Sequence, residues 1–124
     1  VDFTLGWRHL ADAAAGDEAP LRALFTDPQA PGVWLQRWRE RLAAEAADAQ
    51  TRAARMRSVS PWVIPRNHRV EEALAAASDE GDLVPFERLL AALRRPYDDT
   101  TQSAAYAAPA PAAVTASYRT FCGT

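Results

Sequence analysis

The sequence predicts an all-α fold of five or six helices, and three features carry that prediction. Apolar residues recur at steps of three and four through most of the chain up to Leu93, the spacing of one helix face. Glycine and proline fall mainly at the ends of these stretches, where they start or stop a helix. No run alternates apolar and polar residues long enough to make a useful strand.

The elements follow in order. From Asp2 to Ala15, Phe3, Trp7, Leu10 and Ala14 share one face, Asp2 is placed to cap the helix, and Gly16 closes it. A short segment follows Asp17 and Pro20, with Leu21, Leu24 and Phe25 as its stripe, and "TDPQAPG" at 26–32 is a turn. Trp34, Leu35, Trp38 and Leu42 mark a helix from about Val33 to Ala47, with the two indoles one turn apart. The alanine-rich stretch beyond it breaks near Asp48 and continues as helix through Met56. "SPWVIPRNH" at 60–68 interrupts the pattern, because Pro61 and Pro65 each lack a backbone donor and push the preceding residue out of the α region. Val70, Ala73, Leu74 and Ala77 then form a face that ends at Gly81. Asp82 caps a last helix striped by Phe86, Leu89, Leu90 and Leu93, so that the two helices flanking Gly81 make a hairpin. These elements define a helical domain over residues 1–99, and residues 100–124 are an extended C-terminal tail.

Composition bounds the function. At 124 residues the chain has the size of one domain, and much of its apolar share is alanine, so the core must lean on the Trp, Phe and Leu residues. All 14 basic residues are arginine. Without a lysine the chain cannot form a lysine Schiff base, and it cannot supply a P-loop lysine or the ATP lysine of a kinase. The net charge of −2 argues against a general nucleic-acid partner, and no apolar run reaches the roughly 20 residues that span a bilayer, so no membrane partner is expected. One cysteine permits no internal disulfide, which fits a reducing compartment.

The candidate chemistry is sparse. His9 and His68 have no second ligand at metal spacing, and "ASDEGDL" at 77–83 lacks the ligand pattern of a calcium loop. Asp98 and Asp99 are adjacent carboxylates at a helix end, where side chains point apart into water. Arg52, Arg55, Arg57, Arg66 and Arg69 could clamp an anion or the acidic face of a partner, and Glu71 and Glu72 could equally neutralise them; Arg52, Arg55, Arg66 and Arg69 are the candidates for such a contact. Cys122, third from the C-terminus, has Arg119 as the sole nearby cation and no base or partner thiol beside it.

From Ser60 to Asp99 the sequence resembles the C-terminal part of the selenoprotein O family. Pro61, Arg66, Asn67, Ala73, Gly81, Asp82, Leu89, Leu93, Pro96, Tyr97 and Asp98 fall on that family's pattern of Pro, Arg-Asn, helix, Gly-Asp, Leu-rich helix and Pro-Tyr-Asp. The likeness extends upstream through "WLQRWRERL" and "DFTLGWRHL". Ser60, Pro65 and the tail segment "APAPAAV" depart from the pattern. The resemblance implies a parent protein adenylyltransferase whose pseudokinase domain, kinase-like in fold, binds ATP inverted and, with magnesium, transfers AMP to hydroxyl side chains of protein substrates. The family's ATP-binding lysine and glycine-rich loop have no counterpart here, so no catalytic, cofactor-binding or metal-binding residue is carried over. The resemblance does place Cys122 at the position of a family cysteine that is selenocysteine in some members, which makes it a candidate redox thiol.

The expected role is therefore the helical C-terminal portion of such an enzyme, cytoplasmic, structural or regulatory, and not catalytic in isolation. Its expected partner is the kinase-like domain of the same polypeptide. The alternative is a free-standing helical protein-interaction module.

Overall fold

The computed structural model describes residues 1–119, so Cys122 lies outside the described residues. They contain helices and no strand: α1 (Phe3–Ala15), α2 (Ala19–Arg22), α3 (Gly32–Ala43), α4 (Ala49–Val59), α5 (Asn67–Glu80), α6 (Val84–Leu93), α7 (Ala104–Ala107) and α8 (Ala112–Ser117). The chain divides into two compact units, Val1–Trp62 and Val63 onward.

Local chemistry explains most of the boundaries. The Asp2 carboxylate accepts a hydrogen bond from the Leu5 amide at 2.9 Å, which satisfies one free donor at the start of α1. Asp48 does the same for α4, accepting from the Thr51 amide at 2.9 Å and from its hydroxyl at 2.7 Å. These bonds hold the exposed Asp48 carboxyl below its usual pKa. Gly16 and Gly81 terminate α1 and α5 with φ of 109° and 66°, the left-handed region that glycine enters without steric cost.

Three boundaries differ from the sequence reading. Helix α3 ends at Ala43 rather than Ala47, because Asp48 starts a new helix and the intervening alanines bring no large side chain to hold a further turn. Helix α4 runs to Val59, past Met56, and stops just before Pro61. The Asp82 carboxylate accepts from the Val84 amide at 3.0 Å, although Leu83 is the residue next to α6. The segment past Asp99 is not wholly extended, since it contains α7 and α8.

In the first unit α1 packs on α4 and on α2. Its centre is Ala13, Leu21 and Leu35, with Leu10, Leu24, Phe25 and Trp38 packed around them. In the second unit α5 and α6 form the expected hairpin, closed at its base by the Val63 amide donating to the Pro96 carbonyl at 3.0 Å. Val63, Ala73, Leu89 and Ala107 are buried there.

The core is smaller than the aromatic content suggests. Leu35 and Val63 are the largest fully buried side chains, and most of the other buried hydrophobic side chains are alanine. The expectation that the Trp and Phe residues form the core fails for several of them: Phe3 is 77% exposed, Trp34 52% and Trp7 49%.

Candidate functional site

Three features of the described residues bear on function: a buried polar network in the first unit, exposed aromatic faces, and an arginine-lined groove in the second unit.

The network joins α1 to the end of α4. Arg8 is only 5% exposed, and its Nη1 donates to the carbonyls of Arg57 at 3.2 Å and Ser60 at 3.1 Å, two of the acceptors that a helix end leaves open. Its guanidinium carbon lies 6.0 Å from the centre of the Trp62 ring, within cation–π range. One turn along, Asp12 accepts from Arg57 Nη2 at 2.6 Å and pairs with His9 Nδ1 at 2.9 Å. Burial would raise the Asp12 pKa, but the hydrogen bonds from His9 and Arg57, reinforced by their charges, outweigh it and hold the carboxyl below its usual value. Neither Arg8 nor Asp12 is conspicuous in the sequence, and the groups they bind at Arg57 and Ser60 lie 45 to 52 residues away. This constellation holds backbone and charge in place.

The aromatic faces are built from helical spacing. Phe3 and Trp7 on α1 meet edge to face at 5.9 Å, and Trp34 on α3 stacks on Trp38 at 5.6 Å. Trp38 packs on the core, so the stack carries Trp34 outward from it. In the second unit Leu74, Leu83, Val84 and Phe86 are also exposed. These positions lie on or beside the stripes that the periodicity assigned to the interior.

The groove, of about 670 Å³, lies between the end of α6 and the segment leading into α7. Arg88, Ala91, Ala92 and Arg95 line one side, and Thr100 and Tyr106 lie on the other. Ser103, buried beneath, fixes that second wall: its hydroxyl lies 3.1 Å from the Asp98 carbonyl and accepts from the Thr100 amide at 3.0 Å, and its own amide donates to Thr100 Oγ1 at 3.1 Å.

The candidate arginines fall in different units, Arg52 and Arg55 in the first and Arg66 and Arg69 in the second. Arg52 is engaged within its own unit, its Nη2 donating to the carbonyls of Leu42 and Ala47 at 3.0 Å and its Nε to Glu45 at 3.3 Å. Arg69 pairs with Glu72 at 2.8 Å, the neutralising contact weighed from the sequence. Arg66 is half-buried and also engaged, whereas Arg55 is exposed. Near the end of the described chain Tyr118 returns to α5. Partial desolvation, together with its hydrogen bond to the Glu71 carboxylate, raises the phenol pKa. Among the described residues no three His, Cys, Asp or Glu side chains are grouped to hold a metal, and no helix is long and apolar enough to cross a membrane.

Over its whole length the chain is 54% identical to a protein of Bradyrhizobium sp. named protein nucleotidyltransferase YdiU, spanning 25% of that protein. It is 54% identical to a protein of the same name from Cereibacter sphaeroides and 51% identical to one from Rhizobium meliloti, spanning 24% and 26% of them. No protein-family model matches the chain. The chain is thus related end to end to a segment of protein nucleotidyltransferases, about a quarter of their length. The YdiU proteins belong to the selenoprotein O family, the family that the stretch from Ser60 to Asp99 resembles.

Proposed function

We propose that this chain is the C-terminal helical portion of a selenoprotein O-like protein adenylyltransferase, and that it docks on the kinase-like domain of that polypeptide without performing chemistry itself. The observation that carries the reading is the exposure of Phe3, Trp7 and Trp34, large apolar groups at helical spacing that the unit containing them leaves uncovered. Relatives four times as long supply a polypeptide to cover them. In the parent, ATP and magnesium are the cofactors, AMP passes to hydroxyl side chains of protein substrates, and the residues handling the nucleotide lie outside this chain. The compartment is the cytoplasm.

Radiolabelled ATP tests the division of labour. The parent transfers AMP to itself and to protein substrates, whereas the isolated chain neither retains ATP nor becomes labelled. Labelling of the isolated chain contradicts the proposal. Cys122 acts in this reading as a regulatory thiol: its thiolate attacks a disulfide outside the chain, forms a mixed disulfide with one of that pair's cysteines and releases the other as a thiolate. Cys122→Ser in the parent is expected to abolish any redox dependence of AMP transfer while preserving transfer under reducing conditions; an unchanged redox response sinks that role.

A further inference from the structure

We propose that the groove between α6 and α7 binds an extended acidic peptide segment of another protein, with its carboxylates held by Arg88 and Arg95. The inference rests on the groove alone and does not depend on the parent activity.

Arg88 on α6 and Arg95, two residues past its end, line the same groove; the Arg94 and Arg95 amides still bond back to Leu90 and Ala92, so the two backbones lie on the order of 10 Å apart. On one face of an extended chain side chains recur at every second residue, roughly 7 Å apart, and at every fourth, roughly 13 Å apart, which brackets this distance within the reach of two long arginine side chains. Acidic side chains at alternate positions can therefore meet one guanidinium each, and each guanidinium offers the planar fork that carboxylates accept bidentately. Between them Ala91 and Ala92 give a low floor on which a peptide backbone can lie close.

Both cations are available. Arg88 is exposed and has no ion pair among the described residues, and the contact of Arg95 with Asp98 is a marginal 4.0 Å between exposed side chains. The opposite wall offers Thr100 and the Tyr106 phenol as polar groups, and the Ser103 hydrogen bonds hold that wall in shape before any ligand arrives. Charges spread along an open trough suit a strand better than a single compact anion. Among the described residues Asp98 is the one acidic residue lining the groove, and it opposes an acidic ligand near Arg95.

The test uses the full 124-residue chain and a fluorescein-labelled synthetic peptide with aspartate at alternate positions, followed by anisotropy at low salt. Saturable binding is expected, weakening as salt rises. The double variant R88Q/R95Q should weaken it about tenfold or more, the charge-matched control R94Q/R119Q should leave it within about twofold, and D98N should tighten it. Circular dichroism checks that each variant keeps its helix content. The proposal is overturned if the Asn-substituted peptide binds equally well, or if R94Q/R119Q weakens binding as much as R88Q/R95Q. Full displacement of the peptide by millimolar inorganic phosphate in constant ionic strength identifies a small-anion site instead and also overturns it, as does a groove occupied by a second copy of the chain, seen as self-association that R88Q/R95Q abolishes.

Discussion

Arg8 and Asp12 show how single residues hold the first unit together. Arg8, only 5% exposed, places donors on two carbonyls and its face near an indole; truncating it strands those acceptors. Asp12 draws Arg57 and His9 to one carboxylate. Replacing it by Asn should cost about 1–2 kcal/mol in urea unfolding at pH 7, because a charge-assisted pair becomes a weaker neutral one. The pH dependence has a definite sign. The folded pKa of Asp12 is depressed, so its stabilisation is complete above the unfolded aspartate value near 3.9 and is lost as pH falls through the folded value. Stability curves of the native chain and of Asp12→Asn should therefore converge below about pH 4. Parallel curves down to pH 2 contradict the assignment.

At the scale of elements, caps and stops were the most legible part of the sequence because they act within four residues. Asp2, Asp48, Gly16 and Gly81 each perform the role their residue type implies. Gly81→Ala places a Cβ at φ 66° and should lower stability by about 1 kcal/mol, read as a lower urea midpoint with an unchanged slope. A slope change points to an altered denatured or native state instead. Helix α3 was harder to delimit: its alanine-rich end satisfies helix propensity as far as Ala47, and the competition from the Asp48 cap decides where it stops. The second half of the candidate site was not legible at all, since the α6–α7 groove depends on a helix of four residues in a segment without apolar periodicity. Likewise, the sequence brackets Arg52 with Arg66 as a cluster, whereas the chain uses Arg52 to bind two carbonyls of its own unit.

For the whole molecule, periodicity reveals which face of a helix is apolar but not what will cover it. Phe3, Trp7 and Trp34 obey the pattern of core residues and yet remain largely exposed, because the buried positions around Leu35 are filled by alanine and leucine. Under the proposed docking, the stripe is covered by sequence beyond this segment, which in the relatives is about three quarters of the length. The most direct test compares the Phe3→Ser and Trp34→Ser substitutions in two contexts by thermal or urea unfolding. In the isolated chain each should change stability by about 0.5 kcal/mol or less, as for an exposed side chain, whereas in the full-length parent each should cost about 1–3 kcal/mol at the unfolding of this region. Equal small effects in both contexts contradict docking through this face.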